Sequence, residues 1–163
     1  MDELISLFQS GLPSRESAAD ILSVNRQTAR HGLVFTPRQA ASLVAARERA
    51  LSATGRLELA GGVIKKLILA FCDSPYFDAE LAEETLCPLL ETFYQLKNET
   101  FDAFSDDTLI AVLRELFDGA CKGCMDVLQD AAFEQLIRRA HGANDCKEEE
   151  EEQYDIRGEG GNA

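Results

Sequence analysis

Between Thr36 and Gly142, apolar residues recur at helical spacing, in runs opened by capping residues and closed by glycines. Spacing of three and four residues places such side chains on one helix face, which water drives inward. Asp2 to Phe8 predicts a short helix carrying Leu4, Ile5, Leu7 and Phe8, stopped by Gly11 and Pro13. Ser14 or Ser17 can cap the next run, whose apolar members are Ile21, Leu22 and Val24. Gly32 stands where a helix end calls for a left-handed residue, and Leu33 supplies the apolar contact that follows such ends. Thr36-Pro37-Arg38-Gln39 is the clearest start signal: Thr36 caps, Pro37 needs no donor at the first helical position, and Gln39 can bond back. That helix runs through Leu43, Val44, Ala50 and Leu51 to Gly55. The β-prone runs Leu33-Val34-Phe35 and Arg56-Leu57-Glu58-Leu59 flank it and offer a minor two-strand pairing.

Gly61-Gly62 opens the most apolar helix, with Ile64, Leu67, Ile68 and Phe71 on one face and Val63 and Leu69 widening it. A helix so apolar belongs near the centre of a bundle. Asp73-Ser74-Pro75 ends it, and Asp78 caps a long helix with Glu80, Glu83 and Glu84 near its positive end. Leu86, Leu89, Leu90, Phe93, Tyr94, Leu96 and Phe101 form the buried stripe, and Pro88 within it predicts a kink or break near Glu84 to Cys87. Ser105 caps a further helix, bracketed by Phe104 and Leu109 as a hydrophobic staple, buried through Val112, Leu113, Leu116 and Phe117, and ended by Gly119. Met125, Leu128, Phe133, Leu136, Ile137 and Ala140 mark a last helical region closing at Gly142. The pattern therefore predicts an all-α, single-domain bundle of about six or seven helices over 1–142.

Size and charge refine this picture. The 163 residues suit one domain, and the tail 143–163, with Glu148 to Glu152 and Gly158-Glu159-Gly160-Gly161, is too polar to order itself. The acidic start Met1-Asp2-Glu3 is unlike a signal peptide, and the run Val63 to Cys72 is too short to span a bilayer. A cytoplasmic protein with reduced cysteines follows, five being odd for a disulfide framework. Net charge is −13, and residues 67–142 carry fifteen Asp/Glu against five Lys/Arg. Such acidity speaks against nucleic acid and anionic membranes as partners. Arg26, Arg30, Arg38, Arg47, Arg49 and Arg56 could make an anion-facing side, but pairing with the acidic half of the same molecule is the simpler expectation.

Two stretches carry a family resemblance. One is Gly55-Arg56-Leu57-Glu58-Leu59-Ala60-Gly61-Gly62, continued by Phe71-Cys72-Asp73-Ser74-Pro75-Tyr76. The other is Phe93-Tyr94-Gln95-Leu96-Lys97-Asn98-Glu99-Thr100 with Ser105-Asp106-Asp107 and Phe117-Asp118-Gly119. Together they resemble a domain-of-unknown-function family of short proteins from anaerobic Gram-positive bacteria, over roughly residues 20 to 140. The resemblance implies a helical, cytosolic bacterial protein and brings no activity, ligand or site.

Candidate chemistry is sparse. Cys121-Lys122-Gly123-Cys124 with His141 and Cys146 gives C-x2-C-x16-H-x4-C, four ligand types suited to tetrahedral zinc. The same cysteine pair near a helix N-terminus could be a redox dithiol. Packing or turn residues explain the pair more simply, and Cys72 and Cys87 sit on apolar stripes. His31 and His141 adjoin glycines, where they could meet orphan carbonyls at helix ends. Gly61-Gly62 with Lys65 and Lys66 lacks the Gly-Lys-Ser/Thr of a phosphate loop, and the glycines would serve a close helix approach. Asp106-Asp107 and Glu83-Glu84 serve the helix dipole before any acid/base role. No cofactor is implied. The leading expectation is a non-enzymatic protein that binds a protein partner or itself, the alternative a thiol-redox or zinc protein centred on Cys121 and Cys124. An enzyme built from carboxylates and arginines in a cleft stays open.

Overall fold

Ser17 starts α1 (Ala18–Ser23) with a reciprocal cap: its hydroxyl accepts from Asp20 N–H, and Asp20 accepts from Ser17 N–H at 2.8 Å. The computed structural model describes residues 16–57 and 62–156, with side chains described as far as residue 142. The segment Asp2 to Phe8, its stop at Gly11 and Pro13, Ser14, Glu58-Leu59 and Gly61 lie outside the described residues. A helical turn, Asn25–Thr28 continued as a 3-10 turn over Ala29–His31, follows α1 and ends at Gly32 with φ +79°. Leu33 N–H then donates to Thr28 C=O at 3.2 Å and its side chain is buried.

Thr36 and Gln39 form the predicted box at the start of α2 (Pro37–Thr54), with bonds of 3.0 and 3.2 Å, and Gly55 ends it at φ +65°. Gly62 precedes α3 (Val63–Phe71), which buries Val63, Ile64, Leu67, Ile68 and Phe71 and touches α1, α2 and two later helices, α4 and α5. Asp78 caps a 3-10 turn (Ala79–Leu81) that leads into α4 (Ala82–Glu99). Ser105 caps α5 (Asp106–Asp118) through Thr108 N–H at 3.2 Å, and α6 (Leu128–Ile156) packs on α4 and α5. Ser42 on α2 meets Glu83 on α4, and Asn98 near the end of α4 donates to Thr54 C=O at 2.8 Å, so these two helices run side by side in the same direction. Lys66–Asp107 and Asp73–Arg114 give α3 and α5 the same relationship. The architecture is an all-α single domain of six helices among the described residues. No helix among them is long and apolar enough to cross a membrane.

Three expectations are corrected and one is narrowed. No strand forms among the described residues: Phe35 N–H and C=O instead pair with the Asn25 side-chain amide at 2.8 and 3.0 Å, which offers the donor and acceptor a strand would. Of the kink or break expected at Pro88, the break does not occur: α4 runs on through it. Pro88 leaves only the Glu84 carbonyl without its i+4 donor, a cost of about 3 kcal/mol that buried Leu86, Leu89 and Leu90 offset. Phe101 falls off the stripe, 91% exposed with φ +52° beyond the end of α4. Gly142 does not close α6; a glycine within a helix costs about 1 kcal/mol relative to alanine, and Gly142 does not adopt the left-handed conformation that would stop the chain. The side chains of the tail, and its backbone beyond Ile156, lie outside the described residues.

Candidate functional site

The carboxyl ends of α3 and α5 are locked by Arg114. Its guanidinium donates to Asp73 Oδ1 at 2.6 Å, to Asp118, and to the Ala70 carbonyl at the end of α3. Ser74 donates to the other oxygen of Asp118, and Phe71 meets Phe117 edge-on with ring centroids 5.2 Å apart. Arg114 holds the Asp73 carboxyl below the usual carboxylate value of 3.8. A second clamp sits beyond α2: Arg56 donates to Asn98 at 2.8 Å and to both oxygens of Asp102, whose carboxyl it lowers in the same way. The residues that carry the family resemblance thus converge, Asp73 and Ser74 on Asp118, and Arg56 on Asn98.

Two concavities flank this frame and share Leu69. The first is a groove of about 570 Å³ between α3 and α5, floored by Leu69, Ala70, Ile110 and Ala111 and rimmed by Lys66, Asp107, Arg114 and Glu115. Leu69 is 41% exposed there, although it lies on the most apolar helix of the chain. The second is a polar cleft of about 330 Å³ where Arg26, Gln27, Arg30 and His31 face Leu69, Cys72 and Asp73. His31 Nε2 accepts from Arg30 Nε at 3.2 Å instead of meeting a helix-end carbonyl.

The predicted sulfur site is distributed differently. Cys121 is buried against the core while Cys124 is exposed, and Cys124 N–H donates to Cys121 C=O at 2.9 Å. The pair follows the carboxyl end of α5, not a helix N-terminus: Cys121 N–H and Gly123 N–H donate to Leu116 and Phe117 carbonyls at 2.9 and 2.7 Å. That end of a helix is negative and withholds the stabilisation a redox thiolate needs. Burial, then Cys124, pushes the Cys121 thiol up. Gly119 ends α5 as expected, with φ −94°, and Lys122 (φ +46°) and Gly123 (φ +78°) make the left-handed turn that follows it. His141 lies exposed within α6 rather than at its end, and the Cys146 side chain is outside the described residues. Among the described residues no three His, Cys, Asp or Glu side chains gather around one point. Cys72 and Cys87 pack partly buried against the core, and burial raises both thiols.

Other expectations sort themselves by partner. Asp106 and Asp107 open α5 and pair with Lys97 and Lys66. Of the six arginines, Arg56 pairs with the acidic half as expected, whereas Arg47 turns inward. Arg47 lies 3.7 Å from Glu16, with both side chains almost wholly buried. Glu16 accepts from Ile64 and Lys65 N–H at 2.9 and 3.0 Å and so occupies the amino end of α3. Gly62 at φ +104° serves this entry by its backbone conformation; a Cβ there would meet nothing within 4 Å, so close helix approach is not its reason. Sequence reasoning missed Glu16 because an isolated glutamate beside Ser17 looks like one more surface charge.

The fold and its clamps define an all-α protein whose described polar interior is satisfied by its own residues. The chain belongs to a family of unknown function, DUF6323, whose pattern matches residues 20–145. No curated protein and no solved structure matches it.

Proposed function

We propose that this is a non-enzymatic bacterial cytoplasmic protein that acts by binding another protein through the α3–α5 groove. The observation that carries this reading is the apolar floor at Leu69, Ala70, Ile110 and Ala111, bounded on both sides by charged residues. Interaction grooves take an amphipathic helix in this manner, apolar anchors inward and charges at the rim. The occupant proposed is a helix with basic flanks from a different protein. A net charge of −13, with fifteen acidic against five basic residues over 67–142, repels a second copy and attracts such a partner.

Leu69→Asp and Ala111→Arg place charge on exposed positions of the groove floor. The protein and both variants are used as bait in the source cell, and each recovered protein is then titrated against purified bait by calorimetry. The reading expects monomers by light scattering and a partner whose binding weakens at least about tenfold in both variants. A partner held equally by the variants, or none at all, overturns it. Self-association abolished by the variants replaces the foreign helix with a second copy. The zinc or thiol alternative rests on Cys121 and Cys124, and the burial of one of them makes it the weaker reading.

A further inference from the structure

Arg26, Gln27, Arg30 and His31 occupy neighbouring positions of one helical turn and form one wall of the 330 Å³ cleft. Arg26 and Arg30 stand four residues apart, a spacing at which like charges repel. Neither has a carboxylate within ion-pair distance among the described residues, although the chain holds 29 acidic residues to 16 basic ones. Lys66, Lys97, Arg56 and Arg114 have each found one. Asp73 is the acidic residue of the cleft lining, and Arg114 already holds it. Across the cleft, Leu69 and Cys72 form an apolar wall, and the Cys72 thiol, raised by burial, adds no negative charge. A pocket with two guanidinium groups, an amide and an imidazole on one side and apolar atoms on the other resembles the usual layout of small-anion sites, and its size falls at the lower end of ligand pockets.

We infer that this cleft binds the phosphoryl group of a small organic phosphate monoester, with Arg26 and Arg30 holding the phosphoryl oxygens and Leu69 and Cys72 contacting the organic part. Guanidinium forks match phosphoryl oxygens in pairs, which a carboxylate-rich surface elsewhere on this molecule would reject. The cleft shares Leu69 with the α3–α5 groove but takes its cationic wall from Arg26 and Arg30, which the groove lacks, so a variant at those two arginines tests it apart from partner binding.

Phenyl phosphate serves as the probe, titrated by calorimetry into the full chain at constant ionic strength, with sodium sulfate and benzyl alcohol as comparisons. The inference expects saturable binding of phenyl phosphate, at least about tenfold tighter than either comparison. Arg26→Ala/Arg30→Ala changes two exposed side chains, so its unfolding midpoint without ligand should match the parent. Binding should fall at least about tenfold in it, while Arg38→Ala/Arg49→Ala binds as the parent does. If phenyl phosphate fails to bind, binds no better than sulfate, or binds equally to the Arg26/Arg30 variant, the cleft is not a phosphoryl site. Should the Arg26/Arg30 variant unfold, chemical-shift changes of the parent's Arg26 and Arg30 Nε–H groups on titration decide the matter: movement supports the site, and silence refutes it.

Discussion

Glu16→Gln removes one negative charge from the interior while keeping size and shape. In the native protein, both carboxylate oxygens accept from the first N–H groups of α3, at 2.9 and 3.0 Å, and one lies 3.7 Å from Arg47. The glutamine amide offers one acceptor and one donor, so one of those N–H groups faces a donor and loses its partner, a penalty of about 1–3 kcal/mol. Breaking a buried ion pair from one side costs about 3–5 kcal/mol. Arg47 keeps Glu48 at 3.3 Å, which places the total near the lower bound, about 3 kcal/mol. At about 2–4 °C per kcal/mol for a chain of this length, Tm should fall by about 6–12 °C. Urea unfolding followed by helical circular dichroism measures the change through the midpoint, with the denaturant slope unchanged. Adding Arg47→Met should recover part of the loss, because the double replacement strands less charge. A single-variant loss under about 1 kcal/mol would equate Glu16 with an exposed charge and refute its role as the internal anchor of α3.

Three further outcomes follow from particular contacts. Gly123→Ala should cost more than Gly32→Ala, about 2–3 against about 1 kcal/mol: both adopt φ near +79°, but a Cβ at Gly123 would sit 2.9 Å from Tyr76 Cβ while Gly32 has open space. Equal costs in urea unfolding would show that Tyr76 yields freely. Asp73 and Asp102 have folded values below the usual 3.8, so their stabilisation is present above that value and disappears as pH falls towards the lowered one. Both side chains are 56% exposed, which limits each to about 1 kcal/mol, and Asp73→Asn/Asp102→Asn should lose less stability than the parent between about pH 5 and about pH 2.5. Parallel acid curves would contradict this. In a Cys146→Ser background, Cys124 should react with a disulfide reagent first, and Cys72, Cys87 and Cys121 only slowly, because burial raises those three thiols. Fast reaction at Cys121 would revive the dithiol reading.

The helices were legible because local chemistry and burial agree along most of the chain. Thr36, Ser105, Gly32 and Gly55 act where their side chains or φ angles demand, and the apolar stripe of α3 is indeed central. Illegible features depended on residues distant in sequence. Glu16 meets α3 from 48 and 49 residues away, Arg114 meets Asp73 across 41, and the Asn25 amide satisfies Phe35 where a strand looked equally good. One helix end was misplaced for a related reason: Gly142 does not close α6. A glycine can end a helix, but whether it turns left-handed depends on the packing that follows, as Lys122 and Gly123 show against Tyr76. The groove and cleft were invisible for the same reason: Leu69 reads as core, and only the placement of α5 and of the Arg26 turn leaves it on a surface.

Both proposed surfaces require α3 to be a fixed wall, pinned by Glu16 at its start and by Arg114 at its end. Amide hydrogen exchange on the full chain tests that most directly. Leu67 and Ile68 should exchange only through global unfolding, with protection equal to that of Leu90 in α4 and Leu113 in α5. Exchange at Leu67 and Ile68 about a hundredfold faster than at those positions would mean that α3 opens on its own, and the wall would not exist.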